Sequence, residues 1–326
     1  MLKPHLKILV KSLLGGVFSL FGELYTKNKL TVFCYHDVSH NPSEFIHQYN
    51  LNVPPDIFEY QINFICKNFN VISTDDLLDG KFQKNSALIT FDDGFKSYFK
   101  TAVPILNKYK LPSTIFLNMA PVKNEIFWSG LTTYLCDKSP EFCQLLKKNT
   151  ECHLKEKPMY LYCTREIVNS FLKFKGKTFK AEVDKFVGEF ASLEDLSSVS
   201  SNRLVTFGNH LYNHDVAMLI SKSELLESYN KNEHELKKYP NSKSIFAFPY
   251  GQPDTCFSYQ QIELLIDNGA QLVFSAVPVI NSNASALYLH RIPLHSFNNS
   301  KFRIWFVILF YTLLKKYMDL KRKYLK

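Results

Sequence analysis

The stretch ALITFDDGFKSYFK, residues 87–100, carries paired charge straight out of what reads as a buried strand. Five apolar or strand-forming residues, 87–91, run into Asp92, Asp93 and Gly94. In a regular strand successive side chains point to opposite faces, so the two carboxylates could not serve one site if the strand continued. Gly94 removes that objection, because glycine adopts backbone conformations closed to other residues and lets the strand end there. Both carboxylates can then sit at the C-terminal mouth of a parallel sheet, where α/β folds collect ligands and catalytic groups. Standing alone, D-D-G also reads as a turn in which Asp93 caps the following helix.

The sequence around this stretch has a strand–helix rhythm. LTVFCYH (30–36) reads as a buried strand ending on a polar cluster, and FEYQINFICKNF (58–69) places Phe58, Ile62, Ile65 and Phe69 at helical spacing. SYFKTAVPILNKYK (97–110) predicts a helix and STIFLNM (113–119) a strand. From about 125 to 200 the rhythm lapses into Lys-rich, helical-looking sequence, an insertion and not a second domain, because nothing marks a linker. It resumes with RLVTFGNH (203–210), SIFAFPYG (244–251) and QLVFSAV (271–277). Strands alternating with helices predict an α/β fold around a mainly parallel sheet. The length of 326 residues and 46% hydrophobic content suit a packed core of that kind.

Net charge +9 suggests nucleic acid until it is located along the chain. Residues 1–30 carry +4 and residues 301–326 carry +7, so everything between is slightly acidic and no nucleic-acid partner is expected. Both ends are also apolar: SLLGGVFSLFG (12–22) follows Lys3, Lys7 and Lys11, and IWFVILFYTLL (304–314) precedes KKYMDLKRKYLK. Each uncharged run has 11 residues, short of the roughly 17–25 that a spanning helix needs. The C-terminal run is expected to lie in the interface of an anionic leaflet, or else to pack as a final core helix with a solvated basic tail. The N-terminal segment 1–29 has the charge order of a signal peptide without an A-x-A cleavage site, and is read as uncleaved. Seven cysteines, an odd number with no C-x-x-C pair, argue against a disulfide framework and a thiolate zinc site. The expected location is therefore cytoplasmic, or membrane-associated on the cytoplasmic face.

A second constellation follows another strand. FGNHLYNH (207–214) sets His210 and His214 four residues apart, a spacing that on one helical turn brings both imidazoles to the same face. Two histidines and one carboxylate are a sufficient ligand set for a divalent metal with open positions for water and substrate. No H-E-x-x-H, G-x-S-x-G, G-x-x-x-x-G-K-[ST] or G-x-G-x-x-G is present, so phosphoryl transfer and dinucleotide chemistry lose their main support.

TFDDG (90–94), HLYNH (210–214), FAFPYG (246–251) and YLHRIPL (288–294) occur in the order found in polysaccharide deacetylases, the NodB-homology group of carbohydrate esterases. YHDV (35–38) and FEYQINFICKNFNVISTDDLL (58–78) resemble the circularly shifted variant of that family, and the resemblance covers residues 30–297, leaving 298–326 as a basic, apolar C-terminal helix. It implies a distorted (β/α) barrel and metal-dependent removal of acetyl groups from amino sugars. By that resemblance Asp92 is the catalytic base, and Asp93, His210 and His214 hold the metal, with Zn²⁺ the expected ion. The main-chain N–H of Tyr250 faces the oxyanion. His36 is the general acid, with His295 the alternative from the unshifted order. Most relatives carry an arginine two residues before the proline of the third block, where this chain has Ala247. Arg291 is the residue expected to supply that charge from a neighbouring strand. The implied partner is an acetylated amino sugar of a surface glycan or its lipid-linked precursor at an anionic membrane surface. A deformylase or amidase acting on a small or lipid-carried amino sugar, and an inactive glycan-binding member, are the alternatives.

Overall fold

A computed structural model describes residues 4–82, 84–149 and 159–324. Nine strands form one sheet: β1 (Leu30–Tyr35), β2 (Asn70–Val71), β3 (Ser86–Phe91), β4 (Ser113–Leu117), β5 (Val205–Asn209), β6 (Ser242–Ala247), β7 (Leu272–Phe274), β8 (Tyr288–Leu289) and β9 (Ile292–Pro293). Their order is β8-β7-β6-β5-β4-β3-β1-β9, with β2 pairing beside β3, and every ladder is parallel. β1, β3, β4 and β5 are buried along their whole length, as parallel strands covered on both faces must be.

The two edges of this sheet are β8 and β9, yet only His290 and Arg291 separate them in sequence. A link that short brings the edges together, so the sheet curls into a distorted (β/α) barrel with the His290–Arg291 link at its seam. The predicted helix at 58–69 spans Pro55–Asn68 and buries Phe58, Ile62 and Ile65. The segment expected as one helix over 97–110 is instead a π-helical turn, Tyr98–Ala102, followed by Val103–Lys108. Pro104 has no N–H to close a regular turn at that point.

The insertion contributes helices Trp128–Lys138, Pro140–Asn149, Arg165–Lys175 and Lys180–Val187. Their apolar faces share one cluster with Phe45, Ile46 and Phe95 of the barrel, which seats the insertion over the sheet mouth. Residues 150–158, including Cys152, lie outside the described residues, as does Lys3.

The C-terminal helix, Lys301–Tyr324, inserts Ile304, Trp305, Val307, Ile308 and Leu309 into the main core, with Trp305 packed against Phe64 and Phe69 at 5.5 and 5.9 Å. Of the two readings open for this run, core packing holds over 304–309. The N-terminal helix, Pro4–Thr26, lies against it. The approach is so close that a Cβ on Gly15 would meet the Phe302 carbonyl oxygen at 1.9 Å.

Candidate active site

At the C-terminal end of β3 the chain reverses. The Asp92 N–H still donates to the Tyr35 carbonyl at 3.0 Å, continuing the ladder. Asp93 (φ 72°) and Gly94 (φ 90°) then take left-handed conformations, and the Gly94 N–H closes a tight turn on the Asp92 carbonyl at 2.9 Å. Aspartate tolerates that region better than most residues, and glycine adopts it without penalty. The turn replaces strand alternation and sends the two carboxylates to separate partners at one mouth.

Asp92 is clamped. Arg291, only 1% exposed, donates from Nη1 to Oδ1 at 2.6 Å and from Nη2 to Oδ2 at 2.8 Å, and its Nε donates to the Ser275 carbonyl at 3.0 Å. The Cys34 thiol lies 3.5 Å from Oδ2, and His36 Nε2 lies 3.8 Å from it. Burial, the largest single influence, opposes ionisation of Asp92, but the Arg291 charge and hydrogen bonds together with the neighbouring imidazoles outweigh it and hold the carboxyl below its usual range. Burial pushes the Cys34 thiol up, so it stays protonated beside the carboxylate. The arginine missing from the FAFPYG block is thus replaced spatially by one at the barrel seam. Arg291→Met should destabilise the fold by about 3–5 kcal/mol by leaving a buried carboxylate unpaired. Adding Asp92→Asn should recover part of that loss in urea unfolding; no recovery would mean that Arg291 acts through packing alone.

Asp93 faces two imidazoles. Its Oδ1 lies 3.5 Å from His210 Nε2 and 3.2 Å from His214 Nε2. His210 and His214 do not share a helical turn, contrary to the sequence expectation: they bracket an irregular loop in which Leu211 and His214 have φ 61°. Buried amides hold that loop in place of helical hydrogen bonds. Asn118 donates to the carbonyls of His210 and Leu211, and the Asn209 side chain accepts from the Leu211 N–H at 3.0 Å and from Asn232 at 2.8 Å. His210 Nδ1 lies 2.7 Å from the Ala247 carbonyl, a contact that requires Nδ1–H and leaves the Nε2 lone pair aimed at Asp93. The His214 ring packs against Tyr250 and Phe127 at 4.8 and 5.2 Å, and burial keeps it neutral.

The three ligand atoms lie within 4.8 Å of one another, and the buried Asp93 Oδ1 accepts no hydrogen bond. Three electron-pair donors facing one point repel unless a cation sits among them. Ligands bound at about 2.0–2.2 Å in tetrahedral array stand roughly 3.3 Å apart, which matches the separations from Asp93. The residues therefore fit a divalent metal.

His36, Asp92, Asp93, His210, His214, Tyr250, Arg291 and His295 all line one cavity of about 350 Å³. Its remaining wall includes Phe45, Tyr49, Phe127 and Ser129, none of which carried a local sequence signal. Tyr250 has φ 60°, and its hydroxyl donates to Ser129 Oγ at 2.8 Å. His295 is half-buried with Nδ1 2.9 Å from the Asn50 carbonyl, and burial lowers its pKa.

The family model for polysaccharide deacetylases matches residues 79–264, more than half of the chain. The chain belongs to the polysaccharide deacetylase family. The poly-beta-1,6-N-acetyl-D-glucosamine N-deacetylase of Staphylococcus aureus is 25% identical over 173 residues, 53% of this chain and 42% of that protein. The chain thus matches less than half the length of these curated relatives. IcaB from Ammonifex degensii has a TM-score of 0.56 at 18% identity, covering 86% of this chain and 97% of that one. The Streptococcus pyogenes deacetylase PplD in complex with acetate has 0.55 at 17%, covering 85% and 96%. At these identities the structural likeness is one of fold.

Proposed function

We propose that this chain is a metal-dependent hydrolase that removes N-acetyl groups from amino sugars of a glycan. The observation that carries the reading is the pair of carboxylates with divided duties: Asp93 converges with two imidazoles, while Asp92, 1 residue away, is clamped by Arg291. Asp93, His210 and His214 would hold the metal, Zn²⁺ in this proposal, which would supply Lewis acidity toward a water and an amide carbonyl. Asp92, held ionised by Arg291, takes the proton of the attacking water. The Tyr250 N–H is assigned to the developing oxyanion. His36 lines the cavity beside Asp92 and is assigned the proton that releases the amine. The likeness to deacetylases of poly-N-acetylglucosamine supports an N-acetylated glycan as substrate. Incubation with a panel of N-acetyl and N-formyl amino sugars tests this: acetate release is expected. Formate release would change the acyl group, and no release from any member would favour a glycan-binding role.

A membrane-surface location on the cytoplasmic side is part of the same proposal. No helix among the described residues is long and apolar enough to cross a membrane. The N-terminal helix nevertheless turns Val17, Leu20, Phe21 and Leu24 outward at helical spacing, Leu20 78% and Leu24 71% exposed. At its end, Lys29 and Lys316 approach the same Tyr25 ring at 3.6 and 5.5 Å, a cationic cluster beside the apolar ridge. That pairing suits an anionic leaflet. Because residues 304–309 are core, truncation of the C-terminal helix is a poor probe. Leu20→Glu with Phe21→Glu should instead weaken binding to phosphatidylserine-containing vesicles at least tenfold while sparing hydrolysis of a short soluble substrate. Undiminished vesicle binding would sink the ridge as the docking face.

A further inference from the structure

Beside the catalytic cavity lies a second one of about 530 Å³, between the β9 segment and the C-terminal helix. The two share Gln252, Ala276, Pro293 and His295, so they adjoin along that wall. The walls of the second are apolar: Pro278, Phe297, Phe306, Val307 and Tyr311. We infer that this groove holds the hydrocarbon chain of an amphiphilic substrate whose acylated sugar occupies the catalytic cavity. The inference rests on the hydrolase reading above and adds the class of molecule on which the sugar is carried.

The polar side chains of the groove decide between a hydrocarbon and further sugar residues. Gln252 donates to the Ala276 carbonyl at 3.2 Å. Asn298 accepts from the His295 N–H at 2.9 Å and donates to the Arg303 carbonyl at 3.5 Å. Each of these amides thus has at least one hydrogen bond within the protein. A glycan entering the groove would lose its hydration with few partners in return, whereas a hydrocarbon loses nothing by leaving water. The exit agrees with this choice. Tyr311, Leu314 and Met318, at i, i+3 and i+7 of the C-terminal helix, are exposed and continue the apolar wall outward. A chain leaving the groove therefore meets more apolar surface.

Arg303 is the groove's permanent cation. Its Nη1 donates to the Phe297 carbonyl at 3.2 Å and to Asn299 Oδ1 at 3.0 Å, and no carboxylate pairs with it among the described residues. A phosphate joining sugar to chain would meet an unneutralised guanidinium there. A lipid-phosphate-linked amino sugar satisfies every part of the site: the acylated sugar at Asp92 and Asp93, the anion at Arg303 and the chain along Phe306, Val307 and Tyr311.

Calorimetric titration with hexyl, octyl and decyl phosphate below their micellar concentrations tests the groove without catalysis. One-site binding is expected, tightening by about fourfold per added methylene until the groove is filled. Tyr311→Glu and Phe297→Asp should each weaken decyl phosphate at least tenfold, while Phe174→Glu, on the exposed insertion, should not. Tyr311→Glu should also raise KM for an acetylated glucosaminyl phospholipid in neutral detergent without changing kcat/KM for a soluble acetyl sugar. Chain-length-independent binding, as for inorganic phosphate, no saturable binding, or binding indifferent to both groove variants would overturn the inference. If the alkyl phosphates behave as expected but neither acetylated compound releases acetate, the groove stands and the hydrolase reading falls.

Discussion

Replacing Asp93, His210 or His214 with alanine is expected to remove bound metal and hydrolysis together, whereas Asp92→Asn keeps a full complement of metal and loses turnover. The separation follows from geometry. Asp93 Oδ1 stands 3.2 and 3.5 Å from two imidazole nitrogens with no hydrogen bond of its own, while both oxygens of Asp92 are occupied by Arg291. A base within reach of a proton contributes about 10²–10⁴-fold, so Asp92→Asn should fall by at least that factor without disturbing the ligand set. Elemental analysis of the purified variants reads the metal, and acetate release reads the chemistry. If Asp92→Asn arrives metal-free and Asp93→Asn retains its metal, the two roles are reversed.

The next largest effect is expected from His36→Ala: a loss of about 10²–10⁴-fold on an N-acetyl sugar, with metal content unchanged. On an activated aryl acetate the loss should be much smaller, because that leaving group departs without a proton. His295→Ala should show no such selectivity. Both imidazoles line the cavity, but burial lowers the His295 pKa and so disfavours the protonated form an acid needs. Its Nδ1 is also committed to the Asn50 carbonyl. His36 stands beside Asp92, its Nε2 3.8 Å from Oδ2, and faces the same cavity. An amide-selective loss in His295→Ala with His36→Ala nearly silent would exchange the two assignments.

Much of the barrel was legible because its signals are local. A parallel strand buried on both faces is an apolar run, and β1, β3, β4 and β5 occupy the runs at 30–36, 87–91, 113–119 and 203–210. Asp92, Asp93, His210 and His214 were legible because each follows such a run, where parallel strands deliver side chains to a common mouth. The loop between the histidines was read wrongly. Four-residue spacing is diagnostic only where the backbone is helical, and here the buried amides of Asn118, Asn209 and Asn232 hold the chain in left-handed turns. Asn209 adjoins His210 in the chain, but Asn118 and Asn232 come from other elements, which no local pattern around the histidines reveals.

By itself, then, the sequence determined the strand–helix alternation of an α/β fold, the two carboxylates with their histidines, and the concentration of basic and apolar residues at the two ends. Only the tertiary structure decided which groups those residues face. Arg291 is 199 residues from Asp92, and it becomes the clamp of that carboxylate because closing the sheet brings its link between β8 and β9 alongside β1. The same closure lays the C-terminal helix against the β9 segment and opens a groove beside the catalytic cavity. Local pattern specifies which face of an element is apolar; which faces meet depends on how the sheet curls, and that is set by the packing of the whole chain.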